Sequence, residues 1–199
     1  MSDARIVRLS DDLAWQSFTI PDSSSAVAMF QLRAEPSRAQ TLFVRFPAGW
    51  KRPVTGYYEA AEDVLFLSGE LEMGGKTYRA DDYAYIPAGR ARAGSYARTE
   101  VLALARFEGA ARWKQGEDAN DEPLVHRKLF PHDQPSASPL GAGTAWPLHR
   151  SSWLIDTPVA GERSPVDAEI FSADERVWAW VPAGEAFPAL HGACFCRTF

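Results

Sequence analysis

Hydrophobic positions along this 199-residue chain fall in short runs that glycine and proline interrupt at brief intervals. Residues 64–67 form a continuous apolar run, which is typical of a strand covered on both faces. Tyr83 and Tyr85 alternate with smaller residues, so they share one face of a strand. The 14 glycines and 14 prolines leave few windows long enough for an amphipathic helix. The pattern therefore predicts an all-β protein.

One hairpin is specified locally. The segments 71–73 and 76–78 flank the pair Gly74-Gly75. Glycine readily adopts the positive φ angles that a two-residue hairpin turn requires. We therefore predict two antiparallel strands that meet at these glycines.

The chain also suggests two related lobes. Residues 109–123 are mainly charged or small, which predicts a linker between a lobe of residues 1–108 and a lobe of residues 124–199. Residues 178–184 repeat the order of residues 83–89, with alternating aromatics followed by an aliphatic residue, Pro, Ala and Gly. We interpret the C-terminal lobe as a degenerate second copy of the first. The alternative is a single barrel with a C-terminal extension.

Charge and composition exclude several classes of function. A formal charge of −5 argues against a nucleic-acid-binding face, which needs a concentrated basic patch. No apolar run approaches the ~20 residues of a membrane helix, and the first residues lack the apolar core of a signal peptide. Cys194 and Cys196 lie two apart on a predicted strand, a spacing that seldom forms a disulfide. We therefore expect a cytoplasmic protein that binds neither nucleic acid nor membranes.

The order of residues 49–69 resembles the first sequence motif of the cupin superfamily, G-x5-H-x-H-x(3,4)-E-x6-G. The marked positions are occupied in this chain by Gly49, Thr55, Tyr57, Glu62 and Gly69.

Residues 81–96 resemble the second cupin motif, G-x5-P-x-G-x2-H-x3-N. Pro87 and Gly89 are retained, whereas Asp81, Arg92 and Tyr96 replace the first Gly, the His and the Asn. The resemblance implies a double-stranded β-helix, the RmlC-like jelly-roll barrel, and a bicupin-like protein overall.

The resemblance extends to the fold but not to the usual metal site. Cupins commonly hold a divalent metal with three His and one Glu, and only Glu62 of that set is kept. Neutral hydroxyls such as those of Thr55 and Tyr57 are weak ligands, and the Arg92 guanidinium has no lone pair to donate. The first lobe is therefore predicted to lack a His-ligated metal, and we expect no cofactor there.

A small organic ligand is the leading hypothesis for the first lobe, most simply an anion such as a carboxylate, or else a sugar. On the family's spacing Glu62 and Arg92 would point into the mouth of the barrel, with Thr55, Tyr57 and Tyr85 as further contacts. The forked donors of an arginine suit a carboxylate. The alternative is that Arg92 pairs with Glu62 and only fills the place of the metal. Whether the protein is an enzyme is left open.

Two other functions are alternatives to this hypothesis. A metal-dependent dioxygenase, isomerase or lyase would place its divalent cation on Glu62 with Tyr57, or on acidic residues of the second lobe that suit a hard cation: Asp167, Glu169 and Asp174. His191 with the two cysteines is a weaker candidate, for zinc. A structural or sensor module would use its edge strands for pairing, and the resemblance implies a homodimer.

Overall fold

The computed structural model of the protein describes residues 4–129, 136–137, 144–155 and 160–199. These residues contain β-strands and no helix, so the all-β prediction is confirmed. Among them there is accordingly no helix long and apolar enough to cross a membrane. The strands are β1 (Arg5–Arg8), β2 (Gln16–Phe18), β3 (Val27–Ala34), β4 (Gln40–Phe46), β5 (Lys51–Arg52), β6 (Gly56–Tyr58), β7 (Glu62–Ser68), β8 (Glu70–Met73), β9 (Lys76–Arg79), β10 (Asp82–Ile86), β11 (Ser95–Ala97), β12 (Val101–Phe107), β13 (Trp113–Gln115), β14 (Val125–Lys128), β15 (Ser136–Ala137), β16 (Thr144–His149), β17 (Ser152–Ile155), β18 (Ala168–Ser172), β19 (Val177–Val181) and β20 (Cys194–Thr198).

The chain divides into two compact units whose boundaries differ from the predicted ones. The first lobe comprises Asp12–Leu129, and the second lobe comprises Met1–Asp11 together with Phe130–Phe199. Inside the predicted linker 109–123 lies β13, which pairs with β6, and β14 extends the sheet of the first lobe by pairing with β10. At the other end of the chain, β1 pairs with β19 of the second lobe. Polar composition does not distinguish a linker from an edge strand, because an edge strand needs no apolar side chains on its solvent face.

The first lobe is built from antiparallel sheets that enclose one core. A seven-stranded sheet has the order β14-β10-β7-β12-β4-β3-β2, and a four-stranded sheet has the order β5-β11-β8-β9. A further pair, β13-β6, completes the lobe. One buried cluster contains residues of both larger sheets, among them Val64 and Phe66 of β7 and Leu71 and Met73 of β8. The two sheets therefore bury their inner faces against the same apolar interior.

The predicted Gly74-Gly75 hairpin is confirmed. Strand β8 pairs with β9, with Met73 opposite Lys76. Gly74 and Gly75 have φ angles of 58° and 75°. Both lie in the left-handed region, which costs a residue with a Cβ roughly 1–2 kcal/mol. The glycines thus fix the register of this hairpin.

The second lobe contains a seven-stranded antiparallel sheet with the order β1-β19-β18-β20-β17-β16-β15. Its β19 carries the sequence that repeats β10 of the first lobe, and all five residues of each strand are buried. Each strand is followed by the same turn, in which the N–H three residues after Pro87 or Pro182 donates to that proline's carbonyl oxygen. Gly89 and Gly184 both have positive φ. The sequence repeat is thus also a repeat of local structure.

A buried carboxylate joins β14 to β10 in the first lobe. Asp82 is 1% exposed, and its Oδ1 lies 2.8 Å from Lys128 Nζ and 3.0 Å from His126 Nε2. The Arg79 backbone N–H donates to its Oδ2 at 2.7 Å. Burial by itself raises the pKa of Asp82, but the hydrogen bonds from Lys128, Arg79 and His126 outweigh it and lower the pKa below its usual value.

We expect Asp82→Asn to lower the stability at neutral pH and to flatten the acid limb of the stability curve. The folded pKa lies below the unfolded value of about 3.9. The ionised group therefore contributes stability above about pH 4, and this contribution is lost as the pH falls through the folded pKa. Urea unfolding at pH 7, 5, 4 and 3 measures the effect. Asp81→Asn is the control, because Asp81 is exposed and its φ of 66° suits Asn. Identical pH curves for Asp82→Asn and the unmodified protein would contradict the prediction.

Candidate ligand-binding site

A cavity of about 320 Å³ lies inside the first lobe, and every residue that lines it belongs to that lobe. This volume is at the lower end of the range for small-molecule sites. Most of the wall is apolar, and its larger members include Leu42, Val44, Val64, Phe66, Leu71 and Phe107. The strands supply these side chains because alternate positions of β4, β7 and β12 point inward.

Behind the apolar wall, Tyr78 stacks on Phe66 with ring centroids 4.9 Å apart. Burial raises the pKa of Tyr78 to about 12, although the nearby charge of Arg92 acts to lower it. Tyr78 is therefore a neutral phenol at physiological pH and supports the wall as a packed ring.

Two of the predicted site residues meet at one side of the cavity. Glu62 is the first residue of β7, on the inward face that it shares with Val64. Arg92 lies between β10 and β11, where its N–H donates to the Gly56 carbonyl oxygen at 2.7 Å. The Arg92 guanidinium forms an ion pair with the Glu62 carboxylate, and the two side chains are only 5% and 9% exposed. The arginine thus both faces the cavity and pairs with the glutamate.

A second guanidinium, that of Arg52 in β5, also lines the cavity and was not predicted. Its Nη1 donates to the Tyr58 hydroxyl at 3.2 Å, and its guanidinium carbon lies 3.7 Å from the centroid of the Trp113 ring. The guanidinium carbon of Arg92 lies 4.7 Å from the centroid of the Tyr58 ring. Tyr58 therefore contacts both cations, and the aromatic faces stabilise them electrostatically. In the sequence nothing distinguishes buried Arg52 from its exposed neighbour Lys51.

Charge and hydrogen-bonding capacity are unbalanced at this wall. Two guanidinium cations and one carboxylate are the charged groups that line the cavity within the described residues, which leaves a net charge of +1. Burial lowers the pKa of Arg52, and the charge of Arg92 lowers it further, while Tyr58 and Glu62 act to raise it. Arg52 nevertheless remains protonated at physiological pH. The buried Nε atoms of Arg52 and Arg92 and the buried Oγ of Ser95 have no hydrogen-bond partner among the described residues.

Solved structures establish what kind of fold carries this cavity. No family model matches the chain, and no curated protein matches it. A candidate dioxygenase from Nostoc punctiforme has a TM-score of 0.79 at 14% identity, over 98% of this chain and 82% of that one. The E. coli protein Ylba has a TM-score of 0.63 at 10% identity, over 99% and 91%. A candidate glyoxylate-induced protein from Pseudomonas aeruginosa has a TM-score of 0.61 at 10% identity, over 100% and 90%. These neighbours are cupin-fold proteins.

This chain has the cupin fold. The jelly-roll architecture that the two sequence motifs predicted is therefore confirmed. At such low identities the similarity concerns the fold alone, so the chemistry of this chain is argued from its own side chains.

The residues of β6 that face the cavity are shifted by one position from the predicted motif register. Gly56 faces Arg92 across an isolated bridge, and Tyr58 lines the cavity, whereas Thr55 and Tyr57 do not. The motif tolerates three or four residues before its Glu, and the strand uses the shorter spacing between Tyr58 and Glu62. Thr55 and Tyr57 are therefore not among the residues that line this cavity, because a one-residue slip in a strand exchanges the two faces.

Tyr85, the remaining predicted contact, also lies away from the cavity. It is 1% exposed and shares a face of β10 with Tyr83, as the alternation predicted. The hydroxyl of Tyr83 donates to Asp63, the neighbour of Glu62 that points to the opposite side of β7. Both tyrosines therefore belong to the opposite face of the sheet.

The residues of this chain that correspond to the metal-ligand positions of the cupin motifs do not fit a divalent metal. Gly56 supplies no side chain, the Tyr58 hydroxyl accepts a hydrogen bond from Arg52, and Glu62 is paired with Arg92. A divalent cation would also be repelled by the two guanidinium charges. A Cβ at position 56 would lie 2.5 Å from Trp113 Cζ2, so a histidine has no room there.

In the second lobe, the alternative metal ligands are placed separately. Asp167 Oδ1 accepts a hydrogen bond from a backbone N–H, Glu169 is buried within β18, and Asp174 is exposed in the turn that follows it. His191 is exposed, and the two cysteines are buried and unbonded to each other. Burial raises the pKa of Cys196, which disfavours the thiolate that zinc requires. Over the described ranges, no three His, Cys, Asp or Glu side chains form a group that could hold a metal ion.

Proposed function

We propose that the first lobe binds a small organic anion between Arg52 and Arg92, without a His-ligated metal. The observation that supports this function is the pair of buried guanidinium groups that faces a single carboxylate in a 320 Å³ cavity. Buried charges are stable only when they are paired and hydrogen-bonded. An anionic ligand would neutralise the remaining positive charge and accept hydrogen bonds from the unpartnered donors.

The site is preorganised for this task. Glu62 holds one edge of the Arg92 guanidinium while the Tyr58 ring covers its face. The Tyr58 hydroxyl and the Trp113 ring hold Arg52 in the same way. Because both side chains are already ordered, an anion would bind them at little further cost in side-chain entropy. Their burial also strengthens the attraction, since solvent screens it less.

A metal-dependent reaction is the weaker proposal for this cavity, because the residues at the motif's ligand positions include Gly56 and Arg92 rather than histidines. A homodimer in the cytoplasm remains a prediction from the sequence.

Arg52→Gln is expected to weaken anion binding by about 10-fold to 100-fold, the effect of losing a hydrogen bond to a charged group. Isothermal titration with benzoate and with octanoate measures the change. The unmodified protein should bind at least one of them with a Kd below about 1 mM, as a ligand of this size allows. Arg52 is the better choice for a binding test, because its replacement leaves the Glu62–Arg92 pair intact.

Arg98→Gln is the matched control. Arg98 is 53% exposed, pairs with Glu72 and does not line the cavity, so its replacement should leave the Kd unchanged. If both variants bind these anions as the unmodified protein does, or if benzamide binds as tightly as benzoate, the proposed function is wrong.

A further inference from the structure

We infer that the ligand is a monocarboxylate with an apolar body, of roughly ten non-hydrogen atoms in all. This inference rests on the proposed function and specifies its ligand. The size follows from the cavity volume of about 320 Å³ at ~30 Å³ for each water-sized atom. An eight-carbon fatty acid or an aryl-substituted short acid belongs to this class.

The net charge of the cavity wall favours a ligand with a single carboxylate. The described side chains that line the cavity carry two guanidinium cations and one carboxylate, and the other polar members, such as Gln40, Tyr58 and Ser95, are uncharged. One monoanion therefore brings the buried net charge to zero. A dianion would leave one negative charge without a partner in a largely apolar cavity, where an unpaired charge is costly.

The charged groups Arg52, Glu62 and Arg92 meet at one side of the cavity, which gives the ligand an orientation. From Glu62 the inward positions of β7 continue with Val64 and Phe66, which line the cavity together with Leu42 and Val44 of β4. The five residues from Glu62 to Phe66, four residue steps, span roughly 13 Å of strand. A carboxylate at the arginines would therefore direct its apolar body along this wall.

Ser95 is a third donor for the same head group. It lies in β11 directly opposite Arg52 in β5, so the two side chains are neighbours on the inner face. Ser95 is one of the residues that line the cavity, and its buried Oγ has no hydrogen-bond partner among the residues described. A carboxylate oxygen would satisfy the hydroxyl. We therefore assign Ser95 to ligand recognition beside the two arginines.

The charge test compares ligands of equal chain length by calorimetric titration of the full chain at pH 7. Octanoate should bind most tightly, and neutral octanamide and dianionic octanedioate should each bind at least about 10-fold more weakly. Acetate should bind more than about 100-fold more weakly than octanoate, because each buried methylene contributes about 4-fold.

The Ser95 test has two readouts that a purely structural role would not combine. Ser95→Ala should weaken octanoate binding about 10-fold, since a hydrogen bond to the charged carboxylate is lost. The ligand-free protein should be at least as stable as the unmodified one, because a buried unpartnered hydroxyl is removed. A lower stability with an unchanged Kd would overturn the role of Ser95.

The outcomes separate this inference from the proposed function. If octanedioate or acetate binds as tightly as octanoate while Arg52→Gln still weakens them, the site binds anions but the apolar monocarboxylate is wrong. If octanamide matches octanoate, or if the folded protein binds none of these ligands, both proposals are overturned.

Discussion

Arg92→Gln is expected to lower the free energy of unfolding by about 3–5 kcal/mol, because it leaves the Glu62 carboxylate buried beside a neutral amide. Glu62 and Arg92 are 7% and 5% exposed, so neither can recover its solvation without local rearrangement. Glu62→Gln should cost a similar amount, since it leaves the guanidinium of Arg92 without its anion beside a second cation, Arg52. Urea unfolding followed by tryptophan fluorescence measures both changes.

The double variant Glu62→Gln with Arg92→Gln decides whether the cost comes from the pair. Two amides can hydrogen-bond to each other without a buried charge, so the double variant should cost at least about 2 kcal/mol less than the sum of the single variants. Arg98→Gln is the exposed comparison and should change the stability by about 1 kcal/mol or less. If the free-energy cost of the double variant equals the sum of the two single-variant costs, Glu62 and Arg92 are not a coupled buried pair.

Gly56→Ala should lower the free energy of unfolding by about 2–3 kcal/mol through overpacking. A Cβ at this position would lie 2.5 Å from Trp113 Cζ2 and closer still to the Lys114 carbonyl oxygen, so the backbone of β13 would have to move. Thermal and urea unfolding measure the loss. Gly56→His should cost more, because the imidazole would compete with the Trp113 ring for the same space.

Gly109→Ala is the matched control for this substitution. A Cβ there meets only the Cβ of Ala60, at 3.7 Å, which is ordinary van der Waals contact. It should be neutral or slightly stabilising, since alanine reduces the entropy of the unfolded chain. Equal effects at positions 56 and 109 would show that β13 does not pack against β6 as described.

The predictions for the Glu62–Arg92 pair and for Gly56 concern the same wall of the first lobe. At the positions that correspond to the histidines of the cupin motifs, this chain has a glycine, a tyrosine and an arginine, and the Trp113 ring packs over the glycine. Arg52, held by Trp113 and Tyr58, brings a second cation to the same wall. The charged side chains at this wall therefore favour an anion over a cation.

The sequence predicted the part of the site that depends on spacing. Pro87, Gly89 and the glycines of the first motif placed Glu62 and Arg92 at a common point, and the two side chains do form an ion pair. It did not reveal Arg52 or Ser95, because a buried arginine and a buried serine look no different in a sequence from exposed ones. Thr55 and Tyr57 were placed one residue out of register, since the motif allows two spacings before its glutamate.

By itself the sequence determined the strand pattern, the glycine hairpin, the cupin fold and the loss of the imidazoles, because each follows from local residue types or from fixed spacings. Tertiary structure decided which lobe each edge strand joins, which face of β6 looks inward, and that two guanidinium groups share a cavity with one carboxylate. Those features arise from pairing between residues far apart in the chain, where burial and charge balance are set by neighbours that no local pattern identifies.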